Sequence, residues 1–213
     1  MELIDYPDTD MQVLALAQIL GRELRAALLR RDRAVLAVPG GSTPGPLFDL
    51  LSAADLDWSR ITVLPGDERC VPPDHPRSNA GMIHARLLRG PAAAARFLPL
   101  WPADLAAVEA LLPLDVALVG MGEDMHTASL FPGAAALPQA LADDAPALVH
   151  IEAPGAAEPR VTLSARVLSG AFGLHVLITG AAKRAAIERA QGLPALDAPI
   201  AALLPRATVH WAP

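Results

Sequence analysis

Cysteine and lysine are nearly absent from this chain of 213 residues. Cys70 is the only cysteine, so no disulfide bond can form within the chain. Lys183 is the only lysine, whereas the chain has 16 arginines. Where almost every cation is an arginine, the one lysine either survives by chance or marks a position that needs a compact ammonium group.

Basic runs and long apolar runs are also missing. The densest basic cluster is Arg30, Arg31 and Arg33, and the net charge is −6, which argues against a nucleic-acid or anionic-membrane partner. The uncharged stretch at residues 167–182 is broken by Ser, Gly and His and is too short to span a bilayer. The first ten residues, MELIDYPDTD, are acidic where a secretory signal would be basic. We therefore expect a cytoplasmic soluble protein.

Apolar strand-like runs alternate with helical patterns along the whole chain. Hydrophobic residues make up 53% of the sequence and charged residues 19%, which is enough apolar material for a substantial core. Unbroken apolar strands between helices are typical of a parallel sheet that is covered on both faces. Without repeats or a dividing linker, residues 1–213 are expected to form one α/β domain around a mostly parallel, doubly wound sheet. The predicted helices span residues 10–30, 44–51, 79–88, 104–112 and 181–191, and the predicted strands span 34–38, 61–64, 116–119, 148–151, 161–163, 174–179 and, at the sheet edge, 208–211.

Four of these strands end in glycine-rich or polar loops, at residues 39–43, 66–69, 120–126 and 179–183. The carboxyl ends of parallel strands meet at one edge of the sheet, where open α/β sheets bind their ligands. We therefore expect distant residues to converge on a single cleft. These residues are Ser42, Asp67, Arg69, Asp124, His126 and Lys183.

The loop PGGSTPG at residues 39–45 follows a strand and precedes a helix. Its glycines allow backbone N–H groups to turn toward an anion, and the helix N-terminus adds positive potential. Gly40, Gly41, Ser42 and Thr43 are therefore candidate ligands of a phosphate monoester. The loop has neither the Walker A pattern nor the dinucleotide fingerprint. The alternative is an ordinary strand–helix turn in which Ser42 or Thr43 caps the helix.

The other loops carry groups for acid–base chemistry. Asp124 and His126 could act as a partner and a titrating base, and Arg69, in GDERC, could hold an anion or a developing oxyanion. Asp67 could bind sugar hydroxyls, although a surface ion-pair cluster is the simpler reading of this motif. Cys70 is interpreted as a small buried residue. Arg160 and Lys183 are further candidate cations, and the spacing of His, Cys, Asp and Glu resembles no metal cluster.

With these motifs in place, the chain resembles the family of the 6-phosphogluconolactonases and the glucosamine-6-phosphate deaminases. The resemblance rests on AVPGGSTP (37–44), LPGDERCVPPDHPRSNAGM (64–82), DVALVGMGEDMHTASLFPG (115–133), PRVTLS (159–164) and ITGAAKRAAI (178–187). It implies a three-layer α/β/α sandwich and the hydrolysis of 6-phospho-D-glucono-1,5-lactone, the second step of the oxidative pentose phosphate pathway.

The resemblance also suggests a role for each candidate. His126 would be the general base, Asp124 its partner, and Arg69 would hold the sugar ring or the oxyanion, with Asp67 on the sugar. The phosphate would bind at residues 40–43 with Lys183 and Arg160. No cofactor is expected. The expected partner is a small sugar-phosphate lactone, and the expected assembly is a monomer or weak homodimer.

Two positions depart from patterns within that family. Met125 stands where the family usually has glycine between the Asp and the His. If this position needs a positive φ, methionine is strained there by about 1 kcal/mol or more. Phe131 stands where the deaminases carry a glutamate that assists proton transfer, so the residues favour the lactonase. A deaminase-like enzyme and a non-catalytic sugar-phosphate-binding domain remain the alternatives.

Overall fold

A seven-stranded parallel sheet forms the centre of the protein. The structure is a computed structural model and describes residues 1–153, 155 and 157–213. The central sheet has the strand order β1-β10-β9-β6-β2-β3-β5, and a separate antiparallel sheet has the order β4-β8-β7. The strands are β1 (Glu2–Asp5), β2 (Ala34–Val38), β3 (Ile61–Pro65), β4 (Asp67–Arg69), β5 (Arg96–Phe97), β6 (Val116–Gly120), β7 (Leu148–Ile151), β8 (Arg160–Leu163), β9 (Gly173–Thr179) and β10 (Thr208–Ala212).

Helices cover both faces of the central sheet. They divide the buried apolar residues into two clusters, one of which packs against α1 and α2 and the other against α5, α6 and α7. This arrangement confirms the predicted α/β fold with a mostly parallel sheet. The helices are α1 (Thr9–Arg30), α2 (Gly45–Ser52), α3 (Asn79–Arg86), α4 (Leu105–Glu109), α5 (Leu137–Leu141), α6 (Ala165–Ser169) and α7 (Ala181–Ala190).

The strand order reverses between β2 and β6, which lie side by side in the sheet. From β2 the chain continues to β3 and β5 on one side, whereas from β6 it continues to β9 and β10 on the other. The loops that follow β2 and β6 therefore leave in opposite directions. A crevice opens between such loops at the carboxyl ends of the strands, and these are the loops that carry Gly40–Thr43 and His126.

Two sheet predictions are wrong. Residues 208–211 were expected at the sheet edge, but β10 lies between β9 and β1. The edge strand is β1, where Glu2 pairs with Thr208 and Asp5 with Trp211. The pattern ELID is too short to indicate a strand, so pairing with the open side of β10 decides its conformation.

The second error concerns the small sheet. Residues 67–69 were expected to form a loop, yet β4 pairs antiparallel with β8. The predicted strands at 148–151 and 161–163 exist as β7 and β8, but they belong to this antiparallel sheet. Successive side chains of a strand point to opposite faces. The pairing therefore places Asp67 and Arg69 on one face of β4 with Arg160 and Thr162 opposite them, and Glu68 on the other face.

One face of α1 is buried against the sheet. Leu16, Leu20 and Leu24 are fully buried, whereas Leu14 is 44% exposed. Gln12 lies on the same buried face because its side-chain amide donates hydrogen bonds to the carbonyls of Ile178 and His210, both at 2.9 Å. These polar contacts, which hydrophobic periodicity does not register, set the rotation of the helix.

A chain of hydrogen-bonded polar side chains, of which His175 and His210 are buried, links α1, β9 and β10. The Tyr6 hydroxyl lies 2.8 Å from His210 Nδ1, His210 Nε2 lies 3.0 Å from His175 Nδ1, and His175 Nε2 lies 2.9 Å from the Glu23 carboxylate. Burial, reinforced by the neighbouring His175, lowers the pKa of His210 to about 3. His210 therefore stays neutral in the folded protein at moderately acidic pH.

This arrangement predicts a specific acid sensitivity. The ordinary pKa of histidine is about 6.5, so the unfolded chain takes up a proton at His210 before the folded protein does. The contribution of neutral His210 to stability is complete above about pH 6.5 and is lost as the pH falls toward 3. Between pH 7 and pH 4 we expect the loss of this contribution to lower the free energy of unfolding by on the order of 3 kcal/mol.

Urea unfolding at a series of pH values measures this effect. His210→Gln should flatten the pH dependence between pH 4 and pH 7, whereas the control His84→Gln, at an exposed position, should leave the slope unchanged. A variant with the same slope as the wild-type protein would show that His210 does not take up its proton on unfolding.

Candidate active site

The crevice at the carboxyl edge of the central sheet encloses a cavity of about 330 Å³. Among the described residues, all of the predicted site residues except Asp124 line this cavity. Five chain segments more than 20 residues apart thus meet at one place, and four of them are the loops that were expected to converge. The predicted residues in the lining are Gly40, Gly41, Ser42, Thr43, Asp67, Arg69, His126, Arg160 and Lys183.

Asp124 lies behind the imidazole of His126. Its Oδ1 is 2.5 Å from His126 Nδ1 and also accepts the backbone N–H of His126 at 3.3 Å. Because a carboxylate can only accept, this contact keeps a proton on Nδ1 and leaves the lone pair on Nε2. The geometry needs a glycine at position 122, where a Cβ atom would lie 2.3 Å from His126 Nδ1 and 2.4 Å from Asp124 Oδ1. This pair has the arrangement of a general base and its orienting partner.

Met125, between these two residues, has a φ of 66°. The position thus meets the condition stated for strain, because a positive φ is unstrained for glycine and unfavourable for methionine. The strain is balanced by contacts, since Met125 packs against the apolar core and its carbonyl accepts the N–H of Ile200 at 3.1 Å.

The loop after β2 (residues 39–45) is the candidate phosphate site and is called the phosphate-type loop below. Its side-chain hydroxyls make no hydrogen bond to the described residues. Ser42 and Thr43 are exposed. The expectation that one of them caps the next helix is wrong, because Pro44 holds the N-cap position of α2 and none of the described side chains caps this helix. Gly41 has a φ of 85°, which favours glycine. The backbone approaches its surroundings closely at Gly40, where a Cβ atom would lie 1.9 Å from Asn79 Oδ1.

Asp67 is a buried member of a hydrogen-bond network and not part of a surface ion-pair cluster. It is 6% exposed, and its Oδ2 accepts the Ser129 hydroxyl at 2.5 Å. Arg160 Nη1 lies 3.7 Å from the same oxygen, and Asn79 Nδ2 lies 3.3 Å from Oδ1. Ser129 and Asn79 were not anticipated as site residues. The motif SNAG indicated only a helix cap, and nothing local to Ser129 indicates a partner 62 positions away in the chain.

Glu68, on the other face of β4, is also buried, with 2% of its surface exposed. Its carboxylate accepts the backbone N–H groups of Asn79 at 2.8 Å and Ala80 at 2.7 Å, and the Ser78 hydroxyl at 3.2 Å. A carboxylate at a helix N-terminus satisfies free N–H groups and complements the helix dipole. Glu68 therefore fixes the start of α3, and with it the position of Asn79 in the cavity wall.

The two arginines of the cavity lie opposite each other on β4 and β8. Arg69 Nη1 donates to Asn79 Oδ1 at 3.1 Å. Arg160 contacts the Phe131 ring, with 5.2 Å from its Cζ to the ring centroid. Burial lowers the pKa of Arg160, while the carboxylate of Asp67 acts in the opposite direction.

Phe131 stacks on the imidazole of His126. The two ring centroids are 4.3 Å apart and the planes are inclined by 28°. His126 is thus held at its edge by Asp124 and on one face by an aromatic ring. The residue that stands in place of a glutamate in the motif consequently lies directly against the candidate base.

Lys183 lies in the first turn of α7 and reaches the cavity wall. Its neighbour Arg184 pairs with Asp5 and Glu188. Among the residues that the structure describes, no ion pair involves Lys183. The single ammonium of the chain is therefore available to an anion in the cavity.

Other groups give no indication of further chemistry in the cavity. Burial raises the pKa of the half-buried Cys70 thiol, assisted by Glu68, so the unreactive thiol form is favoured. Within the described ranges, no three His, Cys, Asp or Glu side chains are grouped so as to hold a metal ion. None of the described helices combines the length and apolar character that a membrane crossing requires.

Fold and cavity together define an α/β protein with a cavity at the switch point of a parallel sheet. More specifically, the chain belongs to the family described as glucosamine-6-phosphate isomerases/6-phosphogluconolactonase, whose model matches residues 7–211. It is 42% identical to a 6-phosphogluconolactonase of Rhizobium meliloti (strain 1021), covering 93% of both chains, and 41% identical to one of Mesorhizobium japonicum, covering 98% of this chain and 94% of that one. A crystal structure of a 6-phosphogluconolactonase from Shewanella baltica OS155 superposes with a TM-score of 0.93 at 30% identity, covering 100% of this chain and 98% of that one.

The strain at Met125 can be measured by comparing two substitutions. Met125→Gly and Met125→Ala both lose the long side chain, but only alanine keeps the Cβ atom that is unfavourable at positive φ. We expect the glycine variant to be more stable than the alanine variant by about 1 kcal/mol in urea unfolding. At Ala26, in the middle of α1, the order should be reversed, with Ala26→Gly destabilising by about 1 kcal/mol. An alanine variant as stable as the glycine variant would show that position 125 carries no backbone strain.

Proposed function

We propose that this protein hydrolyses 6-phospho-D-glucono-1,5-lactone to 6-phospho-D-gluconate, the second step of the oxidative pentose phosphate pathway. The relatives at 41–42% identity are named for this activity. The observation that carries the proposal is the imidazole of His126, which faces the cavity with Asp124 on Nδ1 at 2.5 Å and Phe131 on one face. One oriented base suffices for a lactonase, which has to activate a single water molecule.

In the proposed complex, the phosphate binds to the loop Gly40–Thr43 and to Lys183. The backbone N–H groups of the loop and the start of α2 favour an anion, and the exposed hydroxyls of Ser42 and Thr43 can donate to phosphate oxygens. The ammonium of Lys183 supplies the compensating charge. Asp67, with Ser129 and Asn79 on its oxygens, forms the polar wall along the sugar.

In the proposed reaction, His126 Nε2 takes a proton from a water molecule while the water oxygen attacks carbon C1 of the lactone. Asp124 stabilises the imidazolium that results. A guanidinium in the cavity wall favours the negative charge that develops on the carbonyl oxygen. The bond between C1 and the ring oxygen then breaks, and the imidazolium returns its proton to that ring oxygen. The carboxylic acid releases its own proton to water, which gives the carboxylate product.

One residue, Phe131, argues against the deaminase alternative. Ring opening and isomerisation of an amino sugar need a second group that moves protons, and the aromatic ring of Phe131 occupies that place next to His126. A sugar-phosphate-binding domain without activity would not require a base with an oriented tautomer. The assays below test the lactonase against both alternatives.

The proposal also includes an assembly and a location. Strand β1 pairs with β10, so both ends of the chain join one sheet, and we propose one domain over residues 1–213. Every group that the reaction needs comes from one chain, which favours a monomer or weak homodimer. A small anionic substrate without a cofactor is consistent with the proposed cytoplasmic location.

A coupled assay with freshly made 6-phosphogluconolactone tests this activity directly, once spontaneous hydrolysis is subtracted. His126→Ala should lower kcat by about 10²–10⁴-fold, the usual contribution of a general base, without unfolding the protein. His84→Ala, outside the cavity, is the matched control and should retain the wild-type rate. Release of ammonia from glucosamine 6-phosphate, or wild-type turnover by His126→Ala, would contradict the proposal.

Lys183→Ala tests the phosphate site. Loss of a charge-assisted contact to a dianion should raise KM by about 10-fold or more and lower kcat less, since the phosphate is remote from the reacting carbon. Arg184→Ala removes the adjacent cation, which pairs with Asp5 and Glu188 on the surface, and should leave KM within about twofold. An unchanged KM in Lys183→Ala would remove Lys183 from the phosphate site.

A further inference from the structure

The two arginines of the cavity have different neighbours, although their backbones are paired directly across β4 and β8. Like charges opposite each other in a sheet repel unless other groups separate or neutralise them. Here the side chains diverge to opposite sides of Asp67. Asn79 contacts Oδ1 of this carboxylate, whereas Arg160 and Ser129 contact Oδ2.

Arg69 belongs to the side of the phosphate-type loop. Its Nη1 donates to Asn79 Oδ1 at 3.1 Å and to the Arg77 carbonyl at 2.5 Å. Asn79 Oδ1 in turn lies 1.9 Å from the place that a Cβ atom on Gly40 would occupy. Arg69 is therefore linked through a single side chain to the first residue of the loop.

Arg160 lies on the side of the cavity that carries the imidazole of His126. Its guanidinium lies 5.2 Å from the centroid of Phe131, and Phe131 is stacked on His126 at 4.3 Å. The nearest side-chain anion is Asp67, at 3.7 Å, which is longer than a hydrogen bond. Arg160 Nε is buried and has no hydrogen-bond partner among the described residues. A buried guanidinium N–H without a partner is costly unless a ligand completes it.

We propose that Arg160 binds the carbonyl oxygen of the substrate, and later the product carboxylate, whereas Arg69 lies at the phosphate end. This assignment reverses the roles expected from the sequence and rests on the proposed lactonase function. A partly desolvated guanidinium beside the base is placed where charge develops when water adds to the carbonyl. Its planar set of donors also matches the two oxygens of a carboxylate.

Two inhibitors that differ only at carbon C1 distinguish residues that bind the carboxylate from residues that bind the phosphate. 6-Phosphogluconate has both the phosphate and the carboxylate, whereas glucitol 6-phosphate has the phosphate and a hydroxymethyl group. Binding of each is measured by calorimetry for the wild-type protein, Arg160→Gln, Arg160→Lys and Arg69→Gln, together with kcat and KM for the lactone. Arg77→Gln, which removes a nearby exposed cation paired with Glu158, is the matched control.

We expect Arg160→Gln to weaken the binding of 6-phosphogluconate by about 10-fold or more and to change the affinity for glucitol 6-phosphate by less than twofold. The same variant should lower kcat for the lactone by about 100-fold with little effect on KM. Arg160→Lys, which retains the charge without the planar donors, should show the same selectivity with smaller effects. Arg69→Gln should weaken the binding of both inhibitors by similar factors, and Arg77→Gln should leave the binding of both unchanged.

Equal weakening of the two inhibitors in both Arg160 variants would overturn the assignment and return Arg160 to the phosphate. If Arg160→Gln does not fold, Arg160→Lys gives the same discrimination. The binding data do not depend on turnover. A wild-type protein that binds both compounds without hydrolysing the lactone would therefore refute the proposed function separately from the orientation of the ligand.

Discussion

The parallel pairing of β2 with β6 is the contact on which the whole site depends. Leu36 pairs with Val116 and Ala37 with Ala117, and the order of strands reverses at this seam. The chain after β2 and the chain after β6 turn away from each other, which opens the cavity between them. A phosphate-type loop and an imidazole more than 80 residues apart thereby face the same space. Any other neighbour for β2 would separate the two ends of the site.

The small antiparallel sheet forms the part of the cavity wall that the β2–β6 pair does not supply. Pairing of β4 with β8 places one buried carboxylate, Asp67, between an asparagine on the loop side and an arginine on the imidazole side. The polar groups stand on strands and on the start of a helix that Glu68 fixes, and such supports hold a site more rigidly than loops do. Prearranged charges of this kind do not have to reorganise during a reaction.

Much of the fold was predictable, because the central strands carry a strong local signal. β2, β3, β6 and β9 are continuous apolar runs bounded by Gly, Pro or polar residues, and each was predicted close to its observed bounds. β1, β4 and β5 were missed, since short mixed segments take their conformation from a partner strand. The convergence of the site followed from the rule that parallel strands end at one edge. The contact of Ser129 with Asp67 did not, because neither residue has a local pattern that indicates the other.

The sequence by itself determined the central strands β2, β3, β6 and β9 and the loops that carry chemistry. Those properties depend on each residue and its neighbours in the chain, through steric limits on the backbone and the periodicity of apolar side chains. Only the tertiary structure decided that Phe131 covers His126 and that Arg69 and Arg160 turn toward different neighbours. Such contacts join segments that are far apart in the chain, and close packing in three dimensions selects them.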